Sequence, residues 1–214
     1  MCRKISAHYI FPANRPPLKR GIVVIDPNGT ITDIIDTNGQ LQESERLEFL
    51  DGIITPGFIN ALTPAEIFFL KTFHLPTLEL NEQITAVCNE FKTGVSENVS
   101  VVLSPSTSQY FVKHFSDTNR KHVVNPLISL GTTLQGSDLQ RILFEEMNTL
   151  QNKLTDISSQ ELIAVGTING AIALGCDQVF GSIEVGKSPG LNLITNINFN
   201  KMQLSSQSDI KVIR

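Results

Sequence analysis

Residues 50–66, LDGIITPGFINALTPAE, decide how the rest of the chain is organised. The pair Ile53-Ile54 predicts a buried strand, and the TPG sequence at residues 55–57 predicts the break that ends it. The apolar run at residues 58–62 then predicts a second strand that enters a core. Before this stretch the chain has the two-residue alternation of β structure, and after it strand-like and helix-like patterns alternate. We therefore expect the stretch to join a β region to an α/β region.

Length, composition and charge limit the classes of protein to consider. The chain has 214 residues, 41% hydrophobic and 18% charged, with a formal net charge of −4. This length accommodates one large domain or two small ones. Lysines and arginines are scattered singly, which disfavours nucleic acid and anionic membranes as partners. No apolar run approaches the length of a membrane helix, and no apolar segment follows the basic N-terminal residues, so we expect a cytoplasmic protein with no membrane partner.

The N-terminal quarter predicts β structure that needs partners from elsewhere. Residues 3–10 alternate between apolar and polar, and residues 21–35 predict a hairpin whose turn contains Asn28-Gly29. Residues 47–50 predict a further short strand. Because an isolated hairpin is only marginally stable in water, we expect these strands to pair with the far end of the chain.

The middle of the chain predicts parallel βα units. Inner strands are predicted at residues 53–62, 99–103 and 126–130, with helices between and after them that include residues 80–91 and a long helix capped by Ser137. A closed (β/α)8 barrel takes about 250 residues, so this part predicts an incomplete, open remnant with about three parallel strands. Exposed edges of such a sheet need cover, which predicts a homo-oligomer, most simply a dimer.

Several segments resemble the amidohydrolase superfamily of metal-dependent hydrolases. Residues 56–64, PGFINALTP, resemble the family's PGF-[IV]-[ND]-x-H-x-H entry to the barrel. Residues 167–193 resemble its C-terminal pattern, T-x-N-x-A-x-x-L-G followed by G-[ST]-[IL]-E-x-G-K-x-[AP]-[DG]-L-x-[LV]. Residues 102–108 and 128–133 resemble its seventh and eighth barrel strands. The resemblance is closest to the branch of cytosine, guanine and S-adenosylhomocysteine deaminases.

The resemblance implies a fold of the α/β plus β class. Residues 1–52 and 181–214 would form a small composite β-sandwich, and residues 53–180 would form a truncated α/β barrel remnant. In the family the C-terminal segment returns to the sandwich, so the hairpin at 21–35 and a strand at 191–195 are expected to be neighbours. The internal truncation would fall near the unmatched join at about residues 67–98.

The same resemblance implies that the family's metal site is missing. The two histidines of the entry motif and the aspartate of the eighth strand correspond here to Leu62, Pro64 and Thr133. A hydrolytic metal site needs at least three protein ligands and outer groups that orient them. The histidines, at positions 8, 74, 114 and 122, share no helical or strand spacing that would pair them. We therefore expect no catalytic residues, no metal and no cofactor.

Polar residues at the ends of two predicted strands form one candidate site. Parallel strands present ligands at their carboxyl ends, and helix N-termini attract small anions, so these residues predict a small-ligand rim, with ordinary loop polarity as the alternative. The rim candidates are Ser104, Ser106, Thr132, Thr133 and Ser137. Glu184 and Lys187 have the residue types of catalytic groups, but the resemblance puts them in a connecting turn, where we expect a structural role.

Three functions remain open at this point. The first is an amidohydrolase-like protein that has lost its metal-binding histidines and aspartate, is catalytically inactive and has a binding or assembly role. The alternative is a residual or altered amidohydrolase acting on C–N bonds with a site assembled across a dimer. The third is a decayed gene product with no selected role. The sequence identifies neither a substrate nor a ligand.

Overall fold

The computed structural model describes residues 2–40, 44–61, 84–87, 100–105, 128–132, 138–154 and 156–213. The N-terminal strands are β1 (Arg3–Ile10), β2 (Leu18–Lys19), β3 (Ile22–Ile25), β4 (Ile31–Ile35) and β5 (Leu47–Pro56). The middle strands are β6 (Ile84–Val87), β7 (Ser100–Leu103) and β8 (Ile128–Leu130). The helices are α1 (Leu139–Lys153), α2 (Ser159–Gly166) and α3 (Ile168–Ala173), followed by strands β9 (Leu191–Thr195) and β10 (Asp209–Ile213).

Both ends of the described chain meet in one mixed sheet of seven strands. Its order is β10-β9-β5-β1-β3-β4, with β2 also paired to β1, and only the β1–β5 pair is parallel. The predicted hairpin is the β3–β4 pair, and the expected partners from the far end are β9 and β10. All seven strands belong to a single hydrogen-bonded sheet, so the two layers of a composite sandwich are not confirmed.

Strand β5 is the centre of this sheet and is longer than expected. Residues 47–50 and the Ile53-Ile54 pair belong to one strand of 10 residues. Successive side chains of a strand point to opposite faces, and accordingly Ile53 packs in one buried core and Ile54 in another. The strand thus holds the two cores of the molecule together.

Gly52 allows β5 to continue through the middle of the sheet. Its φ is +146°, a conformation that side chains disfavour, and a Cβ at this position would overlap the backbone carbonyl oxygen of Ile194 on β9. The close approach of β5 to β9 therefore depends on glycine here.

Two expectations for the sheet are wrong. The hairpin and β9 are not neighbours, because β1 and β5 lie between them in the sheet. The hairpin is instead bonded to the turn that precedes β9, where Gly186 N donates to Ile31 O and Ile31 N donates to Lys187 O, both at 2.8 Å. The turn that precedes β9, and not β9 itself, is therefore hydrogen-bonded to the edge of the hairpin.

The apolar run after β5 is also not a strand in its described part, residues 58–61. Its backbone is held by single hydrogen bonds to different elements: Ile59 N donates to Gly166 O at 2.9 Å, and Ala61 N donates to Leu130 O at 3.0 Å. A ladder with one partner strand does not form, because the segment crosses from the large sheet to the second sheet.

The second sheet contains three parallel strands in the order β6-β7-β8. Two of its strands are the predicted ones, but the third is β6, where the sequence predicts a helix. The β-branched residues of the Ile-Thr-Ala-Val segment suit a strand, and pairing with β7 overrides the helical spacing. The described strands form no closed barrel. The sheet has three parallel strands, but residues 84–87 take the place that the prediction gave to residues 53–62.

Helix ends follow local capping rules. The expected capping box at the start of α2 is present, since Ser158 and Glu161 exchange hydrogen bonds. The expected cap of α1 is wrong by one residue: helix α1 begins at Leu139, so Asp138 is the N-cap, and its carboxylate accepts a hydrogen bond from Arg141 N at 3.0 Å. Ser137 lies outside the described residues.

One core connects parts that the domain prediction separates. It contains Ile53, Ile194 and Ile210 of the large sheet together with Leu130 of β8 and Leu143 of α1. The boundaries at residues 52/53 and 180/181 stay a prediction. No helix within the described ranges has the length and apolar character needed to cross a membrane.

Candidate functional site

Two of the five predicted rim residues lie together at the carboxyl end of the parallel sheet. Leu103 of β7 is in register with Leu130 of β8, so Ser104 and Thr132 follow paired strand ends. Both are buried, Ser104 at 9% exposure and Thr132 at 0%. The other three candidates, Ser106, Thr133 and Ser137, lie outside the described residues.

Asn60 connects the segment after β5 to this rim. Its Oδ1 accepts a hydrogen bond from Thr132 N at 2.9 Å, and its Nδ2 donates to Thr132 O at 3.2 Å. One carboxamide therefore satisfies both backbone groups of a buried residue, as a neighbouring strand would. Asn60 is not among the site residues predicted from the sequence, although its place in the PGF-[IV]-[ND] motif marks it as a candidate.

Gln140 on α1 holds the same segment two residues earlier. Its Oε1 accepts from Phe58 N at 2.7 Å, and its Nε2 donates to Phe58 O at 2.9 Å. Asn192 of β9 donates a further hydrogen bond from Nδ2 to Gln140 Oε1 at 2.6 Å. Two side-chain amides thus add to the single backbone hydrogen bonds of residues 57–61, where a strand pair is absent.

The described rim does not fit the divalent metal that the family resemblance implies. Its polar side chains are neutral hydroxyls and the amide of Asn60, which is engaged by the Thr132 backbone. Within the described ranges no group of three or more His, Cys, Asp or Glu residues is arranged to hold a metal ion. The positions aligned with the family ligands, Leu62, Pro64 and Thr133, lie outside those ranges, and neither leucine nor proline has a ligand atom in its side chain.

His8 lies on β1 in the large sheet. Its Nδ1 is 3.4 Å from Gly52 N and 3.5 Å from Asp51 Oδ1, and its ring contacts those of Phe49 and Phe199. The side chain is 38% exposed. Positions 74, 114 and 122, the other histidines, lie outside the described residues.

Glu184 and Lys187 form a structural turn. Lys187 Nζ lies 2.5 Å from Glu184 Oε1 and donates to Ser182 Oγ at 2.8 Å, and Ser182 also donates to Glu184. The hydrogen bond from Lys187, followed by the one from Ser182, lowers the pKa of Glu184. An ionised carboxylate bound to an ammonium group is suited to holding the turn against β4 and poorly suited to proton transfer.

An open cleft of about 560 Å³ lies where α2 begins, between Phe11 and Met202. At this helix start the Ser158 hydroxyl accepts from Glu161 N, and the Glu161 carboxylate accepts from Ser158 N. The negative side chain of Glu161 offsets the attraction of the helix terminus for anions.

Comparisons with known proteins point to one superfamily. Residues 127–211 match the model of the amidohydrolase family. A 5′-deoxyadenosine deaminase of Methanobrevibacter smithii is 30% identical over 132 residues, which cover 58% of this chain and 30% of that protein. A 5-methylthioadenosine/S-adenosylhomocysteine deaminase of Thermoanaerobacter pseudethanolicus is 26% identical over 143 residues, covering 64% of this chain and 32% of that protein. The matched stretches thus span about a third of the length of these curated relatives.

The fold is similar to that of solved amidohydrolase structures. An enamidase, described as a new member of the amidohydrolase superfamily, superposes with a TM-score of 0.57 at 10% sequence identity, over 93% of this chain and 88% of that chain. At this identity the likeness concerns the fold alone.

Proposed function

Starting from the chain's place in the amidohydrolase superfamily, we propose that it is a non-hydrolytic, internally truncated member, a pseudoenzyme that acts as a binding or assembly module in the cytoplasm. The observation that carries this proposal is the state of the entry motif. The oxygen and the nitrogen of the Asn60 carboxamide both bind the Thr132 backbone. The two positions that hold histidines in the family are occupied here by Leu62 and Pro64. Activation of a water molecule for hydrolysis by this family's route requires a metal that lowers the pKa of the water, and these residues supply no ligand for it.

The assembly part of the proposal concerns the exposed sheet edges. On one side of the parallel sheet, residues 58–61 already lie beside β8. In the large sheet, the terminal strands β4 and β10 carry Asp33 and Lys211, and a charge in an edge strand disfavours pairing with an identical strand. Within the part of the chain that the structure describes, no strand lies beyond β6, and this edge is the one we expect a second copy to cover in a homodimer.

The metal content and the activity of the purified chain test the first part. We expect protein purified without added metal to contain far less than one equivalent of zinc or iron by mass spectrometry. We also expect no ammonia release from 5′-deoxyadenosine or S-adenosylhomocysteine, with the Methanobrevibacter smithii deaminase assayed beside it as the active control. Stoichiometric metal together with ammonia release would overturn the proposal and favour the alternative, a residual C–N hydrolase assembled across a dimer, which the names of the two relatives support.

Light scattering tests the assembly part separately. We expect a dimer at micromolar concentration, and a strictly monomeric chain would contradict an assembly role while leaving the expectation about hydrolysis untouched.

A further inference from the structure

A second cleft, of about 310 Å³, opens where the segment after β5, helix α1 and strand β9 meet. It is separate from the rim at β7 and β8, and its interpretation does not depend on the proposed function. Its walls are mainly apolar. The lining residues used below are Phe58, Gln140, Cys176, Phe180, Asn192 and Val212.

The hydrogen bonds of Gln140 determine the orientation of Asn192 beneath this cleft. Gln140 must present Oε1 to Phe58 N and Nε2 to Phe58 O, since the reverse orientation would oppose like groups. The atom of Asn192 that faces Gln140 Oε1 at 2.6 Å is therefore its amide nitrogen, and the carbonyl oxygen Oδ1 points elsewhere.

That oxygen is an unused acceptor. Asn192 is 1% exposed, and its Oδ1 accepts no hydrogen bond from the part of the chain that the structure describes. Buried side-chain oxygens of folded proteins are nearly always hydrogen-bonded, so an exception next to a cleft calls for a donor from outside the chain. We propose that the cleft binds a small aromatic molecule carrying one N–H or O–H group, which donates to Asn192 Oδ1.

The cleft walls suit an aromatic ring. Phe180 and Val212 line the cleft and are each 43% exposed, so their apolar surfaces are accessible to a ligand. Cys176 contributes a polarizable sulfur, which makes favourable contacts with ring edges. Because Asn192 Oδ1 has almost no accessible surface, the proposal requires that a side chain lining the cleft shifts when the ligand binds. Phe180 and Val212 are exposed side chains of that lining.

Protection of Cys176 from alkylation measures occupancy of the cleft. Indole is the probe, and benzofuran, which has the same ring shape but no N–H, is the matched control. Peptide mass spectrometry follows iodoacetamide labelling of Cys176, with the exposed Cys2 as the internal reference. Burial raises the pKa of the Cys176 thiol, so labelling is run at mildly alkaline pH. Indole at ten times its dissociation constant should slow Cys176 labelling about tenfold, and benzofuran should have little effect at the same concentration.

Two variants separate the hydrogen bond from the ring contact. Asn192→Leu should remove the preference for indole over benzofuran. Because this buried change also breaks the hydrogen bond to Gln140, Phe180→Ala at the margin of the cleft provides a second test. This variant should weaken the protection of Cys176 by indole while leaving the melting temperature nearly unchanged. Equal protection by the two probes in the unaltered protein, or protection by neither, would overturn the proposal.

Discussion

The large mixed sheet and the segment that leaves it are held by different means. In the sheet, ten-residue β5 pairs through backbone hydrogen bonds with β1 over residues 47–54 on one side and with β9 over residues 53–56 on the other. In residues 57–61, immediately afterwards, the amides of Gln140 and Asn60 bind the backbone of Phe58 and Thr132.

The difference shows how the two sheets are joined. A backbone ladder depends weakly on side-chain identity, because every residue other than proline supplies one donor and one acceptor. A side-chain amide makes the same bonds at a single place and only when the residue is asparagine or glutamine. The sheet should therefore tolerate most substitutions outside its cores, whereas the junction should be sensitive at two polar positions.

The largest effect is expected where the ladder has no room for a side chain. Gly52→Ala forces a Cβ onto the carbonyl oxygen of Ile194 and occupies a φ of +146°, so we expect the free energy of unfolding in urea to fall by at least about 3 kcal/mol. Gly29→Ala is the matched control, since its φ is +86° but no atom lies within 4 Å of the added carbon; it should cost about 1 kcal/mol. Equal losses in the two variants would mean that the approach of β5 to β9 is not constrained.

A smaller effect is expected at the junction. Gln140→Ala removes the partner of Phe58 N, of Phe58 O and of the Asn192 amide. Because these groups are only partly buried, water can replace part of each bond, so we expect a total loss of about 2–3 kcal/mol, below the sum of about 1–3 kcal/mol each that fully buried unpaired groups would give. Hydrogen exchange at Phe58 N should accelerate more than exchange in β1. Gln178→Ala, whose side chain bonds only to the adjacent Asp177 within the described structure, is the control and should change neither quantity. An unchanged exchange rate at Phe58 N in Gln140→Ala would show that the Gln140 side chain is not needed to hold the Phe58 backbone in place.

The smallest effect is expected from the ion pair that links β1 and β5 at the surface. Arg3 donates two hydrogen bonds of 2.8 Å to Glu48 and thereby lowers the pKa of that carboxyl group. A depressed pKa contributes stability that is present above the unfolded-state value and is lost as the pH falls through the folded-state value. With side chains 35% and 48% exposed, the pair should be worth at most about 0.5 kcal/mol.

A double-mutant cycle with Arg3→Gln and Glu48→Gln measures this ion pair. The coupling energy should be present at pH 7 and absent at a pH below the folded pKa of Glu48. A coupling energy that persists in acid would show that the two residues interact through packing and not through charge.

Local patterns accounted for much of the fold. The hairpin, the first strand and the capping box at Ser158 depend on neighbours in sequence, so turn residues and alternation predict them. The strand at residues 84–87 was missed, because Ile84 and Val87 also fit one face of a helix together with Cys88 and Phe91, and only pairing with β7 decides between the two. The predicted break at residues 55–57 is where β5 ends, but the length of the strand was misjudged: residues 47–50 and the Ile53-Ile54 pair form one strand, whose partners β1 and β9 lie far away in sequence.

The candidate site was predicted less completely than the fold. Strand order placed Ser104 and Thr132 at one sheet edge as expected, because paired parallel strands end together. The amides that shape the site were not predicted. Gln140 is an ordinary polar residue in sequence and Asn60 is marked only by its place in the entry motif, and their roles depend on backbone groups 82 and 72 positions away.

The sequence by itself determined the resemblance to the amidohydrolase superfamily, the hairpin turn, the capping box of α2, and the lack of a metal-ligand atom at Leu62 and Pro64 in the entry motif, because these properties depend on residue identity at short range. Tertiary structure alone decided the strand order in which the two ends of the described chain pair, the crossing of residues 57–61 between sheets without pairing as a strand, and the lack of a partner for Asn192 Oδ1 within the described residues. Each of these depends on hydrogen bonds between groups far apart in the chain, and which backbone group meets which amide is set by packing of the two cores.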